Sequence, residues 1–237
     1  MSTLPIASTS LGSLRGVVDD GVCVFRGVPY AAPPIGRLRF VPPTAHSGWT
    51  GDRDASKHAP IPPQPPSRLS AAMGDVDAPQ AEDCLTLTIT TPAADSKRRP
   101  VLVWLHGGAF WTGAGSLDWY SGVPMARDGD VVVVGVNYRL GALGFMHLDG
   151  VAPPNLGLMD QFAAIEWVAR EIAAFGGDPD NITVMGQSAG GLSILALLGQ
   201  PQLRSRVRRV IIQSAPFGRM LRSPADANAI GRSMQQA

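Results

Sequence analysis

Apolar residues in this chain gather into short β-branched runs: Val22 to Phe25, Leu85 to Thr90, Val101 to Leu105, Val131 to Val136, Ile182 to Met185 and Val207 to Ile212. Two of them, Val101-Leu102-Val103-Trp104-Leu105 and Val131-Val132-Val133-Val134, are apolar throughout and do not alternate. Strands buried on both faces have this pattern, which predicts the interior of a sheet with helices on each side. A different period governs Leu158 to Phe175. Phe162, Ile165, Val168 and Ile172 recur at three- and four-residue steps, while Gln161, Glu166 and Arg170 mark a wetter side. This predicts a helix, ended by Gly176-Gly177. The small, apolar stretch Gly191 to Leu198 predicts another helix after the strand at 182–185. The succession of strands and helices is that of an α/β sheet, and no internal repeat is visible. Prolines crowd the stretch from Pro60 to Pro66. It reads as an extended surface loop, with a polyproline segment offered to a partner as the alternative.

With 237 residues the chain can form one domain or part of a larger one. A net charge of +1 gives no general attraction to nucleic acid or to an anionic membrane. The charge is unevenly placed. Beyond residue 188 stand Arg204, Arg206, Arg208, Arg209, Arg219, Arg222 and Arg232 against Asp226 alone. A solvated face whose acidic neighbours lie outside the chain is preferred to an RNA-binding surface. Cys23 and Cys84 are too few for a disulfide framework and lack metal-ligand spacing. No apolar run approaches the roughly 20 residues of a membrane span. Met1 to Gly16 lacks the apolar core of a secretory signal. The expectation is a soluble, cytoplasmic protein. Arginine far outnumbers lysine, which points to a GC-rich bacterial genome.

Candidate chemistry sits at two strand ends. Gly186-Gln187-Ser188-Ala189-Gly190 follows the run Ile182 to Met185 and precedes the helical stretch. A G-x-S-x-G between strand and helix makes Ser188 a candidate nucleophile, because the strained turn thrusts its hydroxyl outward. Side chains two residues to either side would collide with the turn. His106-Gly107-Gly108-Ala109-Phe110 follows the run Val101 to Leu105. Without a Gly-Lys-Ser/Thr this glycine turn does not read as a nucleotide site, and neither a cofactor nor a metal is expected. Such a turn can instead offer backbone N–H groups to a developing oxyanion, together with the N–H of the residue after the nucleophile, Ala189.

These motifs and several others resemble the type-B carboxylesterase family, which includes cholinesterases and bacterial para-nitrobenzyl esterases. The matching segments are Phe25-Arg26-Gly27-Val28-Pro29-Tyr30-Ala31, Pro33-Pro34, Arg39-Phe40, Glu82-Asp83-Cys84-Leu85, Asn137-Tyr138-Arg139-Leu140-Gly141, Asn155 to Gln161, and Gly176-Gly177-Asp178-Pro179 with Asn181. The resemblance implies an α/β-hydrolase fold, with a mostly parallel central sheet and helices on both faces. It makes residues 1–237 the N-terminal part of one such domain, incomplete without a C-terminal half. It implies ester hydrolysis, Ser188 as nucleophile, and the N–H groups of Gly108, Ala109 and Ala189 as the oxyanion hole. It also implies that Arg39–Glu82 and Arg139–Asp160 are internal ion pairs. Alanine at position 109 goes, in the family, with tolerance of bulky alcohol esters.

Three features depart from the family. Gln187 replaces its usual glutamate. Cys84 has no cysteine partner in the Pro60–Pro66 region and is expected to be a free thiol. The family's members are considerably longer, and their triad acid and histidine lie in the part with no counterpart here. Ser188 is followed by no histidine and only by Asp226, which lies too near to match the family's acid. Of the upstream histidines, His106 belongs to the oxyanion turn, His46 and His58 match no catalytic position, and His147 reads as a solvent-facing rim residue. The chain alone is therefore expected to be inactive unless a separate C-terminal half complements it, with a small carboxylic ester as substrate. The alternatives are a hormone-sensitive-lipase-like esterase and a non-catalytic binding relative of the family.

Overall fold

The computed structural model describes residues 4–67, 76–218 and 221–236. Its strands are β1 (Ile6–Thr9), β2 (Gly12–Arg15), β3 (Val17–Asp19), β4 (Val22–Pro29), β5 (Asp52–Asp54), β6 (Thr86–Thr91), β7 (Arg99–Leu105), β8 (Val132–Val136), β9 (Gly177–Gln187) and β10 (Arg209–Gln213). Its helices are α1 (Val123–Gly129), α2 (Gly141–Phe145), α3 (Leu156–Glu171), α4 (Ala189–Leu198), α5 (Pro201–Arg204) and α6 (Pro224–Gln235). The fold is that of the α/β-hydrolases.

Seven strands form the main sheet in the order β10-β9-β7-β8-β6-β4-β3. The four from β10 to β8 run parallel, and β6, β4 and β3 add to them antiparallel. The small sheet β1-β2-β5 pairs β2 antiparallel with β1 and parallel with β5.

The non-alternating runs occupy the middle of the main sheet, and all five residues of β8 are buried. Val101, Val103, Leu105, Val132, Val134, Val136, Ile182 and Val184 point to one face. There they share a core with Ile165, Trp167 and Val168 of α3 and Ile194 and Leu197 of α4. Across the sheet, Val22 and Val24 of β4 pack on Ala126 of α1. Parallel strands buried this way need cover on both sides, which these helices supply. The predicted helix 158–175 is α3 continued by a 3-10 turn, Ile172–Phe175, and Gly176 caps it at φ 75°. Arg139 and Asp160 pin α3 to the end of β8. The pair is buried, with Asp160 accepting from Arg139 Nε at 2.8 Å, Nη2 at 2.7 Å and the backbone N–H at 3.1 Å. Arg39 and Glu82 also pair, with Arg39 Nε donating at 2.6 Å.

Candidate active site

Ser188 is the single residue between β9 and α4, held at φ 54° and ψ −115°. A serine rarely adopts this region, and neighbouring contacts must enforce it. Its N–H donates to Gln213 O of β10 at 2.8 Å, and its carbonyl accepts the first helical bond, from Leu192 N at 3.0 Å. The flanking glycines are present because of crowding. A Cβ on Gly186 would sit 2.6 Å from the Gly190 carbonyl carbon, and one on Gly190 would sit 2.0 Å from Leu105 O. The first turn of α4 thus lies directly over the end of β7.

Leu105 pairs with Gly186 across β7 and β9, so the turn after Leu105 emerges beside Gln187 and Ser188. Contact is close: a Cβ on Gly107 would lie 2.3 Å from Gln187 Oε1 and 3.3 Å from Ser188 Cβ. The turn then coils through Gly108 at φ 111°, Ala109 at 55° and Phe110 at 65°. Trp111 N and Thr112 N both bond back to Gly108 O, at 3.0 and 3.1 Å. No hydrogen bond to another described residue uses the N–H groups of Gly108, Ala109 or Ala189. Ala189 opens α4, where the positive end of the helix dipole favours negative charge. N–H groups that no other described residue uses, lying beside a serine, can stabilise an oxyanion.

Residues from other segments buttress this turn. Gln64 clamps Gly113 at both ends, its Oε1 accepting from Gly113 N at 2.6 Å and its Nε2 donating to Gly113 O at 3.0 Å. The proline-rich stretch is therefore a packed support, tied down also where Ile61 bridges Gln80. Tyr138 Oη donates to His106 O at 2.8 Å. Gly141 N donates to Phe110 O at 2.8 Å. Nothing in the local sequence of Gln64, Tyr138 or Gln213 announces these contacts, because each reaches the site from a distant segment.

No histidine hydrogen-bonds to Ser188 among the described residues. The His106 ring is wholly buried, and burial pushes its pKa down to about 4. His46 Nδ1 accepts from Gly48 N at 2.9 Å, and its ring lies edge-on to Trp49. His58 Nδ1 lies 3.3 Å from Thr88 Oγ1. The reading of His147 as solvent-facing is corrected: its side chain is only 17% exposed. The close approach of Gly231 in α6 to its carbonyl packs that helix over it. Asp226 lies in the first turn of α6, where its N–H donates to the Oγ of the capping Ser223 at 3.1 Å. Cys84 is a buried free thiol and Cys23 a half-buried one.

Of the arginines after Ser188, all but Arg219 fall within the described residues, and these are exposed. Arg206 lies 3.5 Å from Glu166, and Arg209 donates to Asn181 at 2.9 Å. Arg219 lies outside the described residues. Among the described residues no cluster of His, Cys, Asp and Glu is placed to hold a metal ion, and no helix is long and apolar enough to cross a membrane.

Residues 3–235 match the carboxylesterase family. The chain is 51% identical over 220 residues to the phenmedipham hydrolase of Pseudarthrobacter oxydans, covering 92% of this chain and 44% of that protein. It is 44% identical over 226 residues to the para-nitrobenzyl esterase of Bacillus subtilis, covering 94% of this chain and 46% of that protein. Among solved structures, a carboxylesterase of Geobacillus stearothermophilus superposes with a TM-score of 0.88 at 45% identity, covering 98% of this chain and 48% of the other. A thermophilic para-nitrobenzyl esterase superposes with a TM-score of 0.90 at 41% identity, covering 99% and 48%. The chain spans just under half the length of each of these relatives, and the region it matches is their N-terminal part. With the elbow, the glycine turn and this match in one place, the chain belongs to the carboxylesterase family.

Proposed function

We propose that this chain holds the nucleophile and the oxyanion site of a carboxylic ester hydrolase that works through an acyl-enzyme. The observation that carries the reading is the contact between two strand ends. Ser188 stands at a strained elbow, with the Gly107 turn against it and three N–H groups that no other described residue uses. Ser188 Oγ would attack the ester carbonyl and pass its proton to a base. The carbonyl oxygen would take up negative charge among the N–H groups of Gly108, Ala109 and Ala189, each donor contributing about 2.7–4 kcal/mol to the transition state. Collapse would expel the alcohol, and water would then release the acid from the serine.

The base in this reading comes from outside these 237 residues, because none of the four histidines hydrogen-bonds to Ser188. It would belong to the part of the relatives that the chain does not span, joined in one chain or as a second subunit. The edge of β10, unpaired among the described residues, offers that part a place to continue the sheet. The reading places the enzyme in the cytoplasm, acting on small esters with neither nucleic acid nor a membrane as partner. Para-nitrobenzyl esters and phenmedipham are the first substrates to try, after the relatives' names. Ala109 favours esters of bulky alcohols.

The test is the initial rate on short-chain p-nitrophenyl esters. Residues 1–237 are assayed alone and with the C-terminal remainder of the Bacillus subtilis para-nitrobenzyl esterase, with Ser188→Ala as control. Losing the histidine of a Ser-His-Asp triad costs on the order of 10⁶ in kcat, so the lone chain should turn over negligibly. Addition of the remainder should restore turnover, and Ser188→Ala should abolish it. Normal turnover by the lone chain would mean that an upstream base exists. Turnover indifferent to Ser188→Ala would sink the serine mechanism.

A further inference from the structure

We infer that His106 is a positioning residue, whose Nδ1–H holds the Gly107 carbonyl and thereby aims the Gly108 N–H at the oxyanion. The inference rests on the ester-hydrolase reading above for its consequence, though not for its geometry. His106 Nδ1 lies 2.7 Å from Gly107 O. A carbonyl can only accept, so the proton of this contact sits on Nδ1. Every described peptide bond is trans. Across a trans peptide the C=O of one residue and the N–H of the next point in opposite directions. Fixing the Gly107 carbonyl toward the ring therefore turns the Gly108 N–H away from it.

The ring can hold that direction because its own place is over-determined. It stacks on Tyr138, with centroids 4.3 Å apart and planes 15° apart. Its main-chain carbonyl accepts from the same tyrosine. Gly113 also comes so close that a Cβ there would lie 2.5 Å from Nδ1. Gln64 holds Gly113 in that position from outside.

A histidine that served packing alone would be a poor choice here. The ring is fully buried, and its Nε2 has no hydrogen-bond partner among the described residues. A bare buried acceptor costs stability that an apolar ring of the same size would avoid. What the apolar ring lacks is the Nδ1–H. Nothing else in this contact set requires an imidazole.

The experiment pairs a structural readout with a kinetic one. In 15N spectra of the chain, in solution or as a hydrated sediment, His106 should show the proton on Nδ1, with scalar coupling to the Gly107 carbonyl carbon. His106→Phe keeps the stack and removes the donor. His106→Asn sets an amide nitrogen where Nδ1 was. The Gly108 amide resonance should move in the Phe variant and stay near its original position in the Asn variant, while amides of β8 stay fixed in both. In the complemented enzyme, His106→Phe should lower kcat on the order of 10²-fold with KM little changed, the scale of a small misplacement at a reacting centre. His106→Asn should recover most of the loss. A proton on Nε2, or a Phe variant with an unmoved Gly108 amide, would overturn the inference. If no preparation hydrolyses esters, the functional reading fails, while the 15N result still decides the role of His106.

Discussion

Gly190 lies so close to the carbonyl of Leu105 that a Cβ on it would fall 2.0 Å from that oxygen. The obstacle is backbone, which cannot swing aside as a side-chain tip can. Gly190→Ala should therefore cost at least about 1–3 kcal/mol, the range for overpacking a filled core. Gly129→Ala is the control, since its Cβ would meet nothing nearer than Val131 Cγ2 at 3.7 Å. Urea unfolding of the two variants checks this. Equal stabilities would mean that α4 can lift from β7 freely.

Ser188 carries backbone strain that glycine would not. Strain of this kind costs roughly 1–3 kcal/mol, and part of that would be offset by glycine's greater freedom in the unfolded chain. Ser188→Gly should raise stability by roughly 1 kcal/mol while removing the nucleophile. Ser188→Ala, which keeps the Cβ, should not show the gain. A destabilised glycine variant would show that the serine is unstrained.

Burial pushes the Asp160 carboxyl up, and the Arg139 guanidinium beside it pulls the other way. A guanidinium keeps its proton in proteins, so three charge-assisted N–H donors hold the pair ionised. Removing one partner should strand a buried charge. Arg139→Met alone should cost about 3–5 kcal/mol, whereas Arg139→Met with Asp160→Leu should cost much less. A double variant no better than the single one would assign the loss to packing.

His106 lies at about 4 because burial disfavours its charged form, against about 6.5 in an unfolded chain. Between those values the unfolded state binds the proton and the folded state does not. Stability therefore rises with pH across this window, is full above about 6.5, and is lost as pH falls toward 4. The loss from this residue should be on the order of 3 kcal/mol. His46 and His58 are also pushed down by burial and add in the same direction. Comparison with His106→Asn isolates the one residue: the variant should lose less stability between pH 6.5 and 4. Parallel curves for the two proteins would contradict the assignment.

Among the described residues no strand pairs with the outer edge of β10, where Val210 and Ile211 are exposed by 37% and 42%. An open apolar strand edge is a template for pairing with another chain. The chain should associate in sedimentation runs, and Ile211→Lys should shift it toward monomer. A monodisperse monomer without the substitution would count against this.

Two kinds of information separate cleanly in this protein. Features carried by contiguous residues were legible in the sequence. The buried runs became β7 and β8, the three- and four-residue apolar period became α3, and Gly186 to Gly190 marked the elbow. The pairing of Arg139 with Asp160 and of Arg39 with Glu82 came from likeness to a family, not from any local rule. The support of the glycine turn was not legible. Gln64 meets Gly113 from a proline-rich stretch, Tyr138 lies under the His106 ring, and Gln213 holds the Ser188 N–H. His147 was misread because α6 comes back over it from far along the chain. The physical reason is range. Strand burial, helix period and crowding at an elbow are dictated by residues a few positions apart. A hydrogen bond between segments tens of residues apart exists only once β7, β8, β9 and β10 lie side by side.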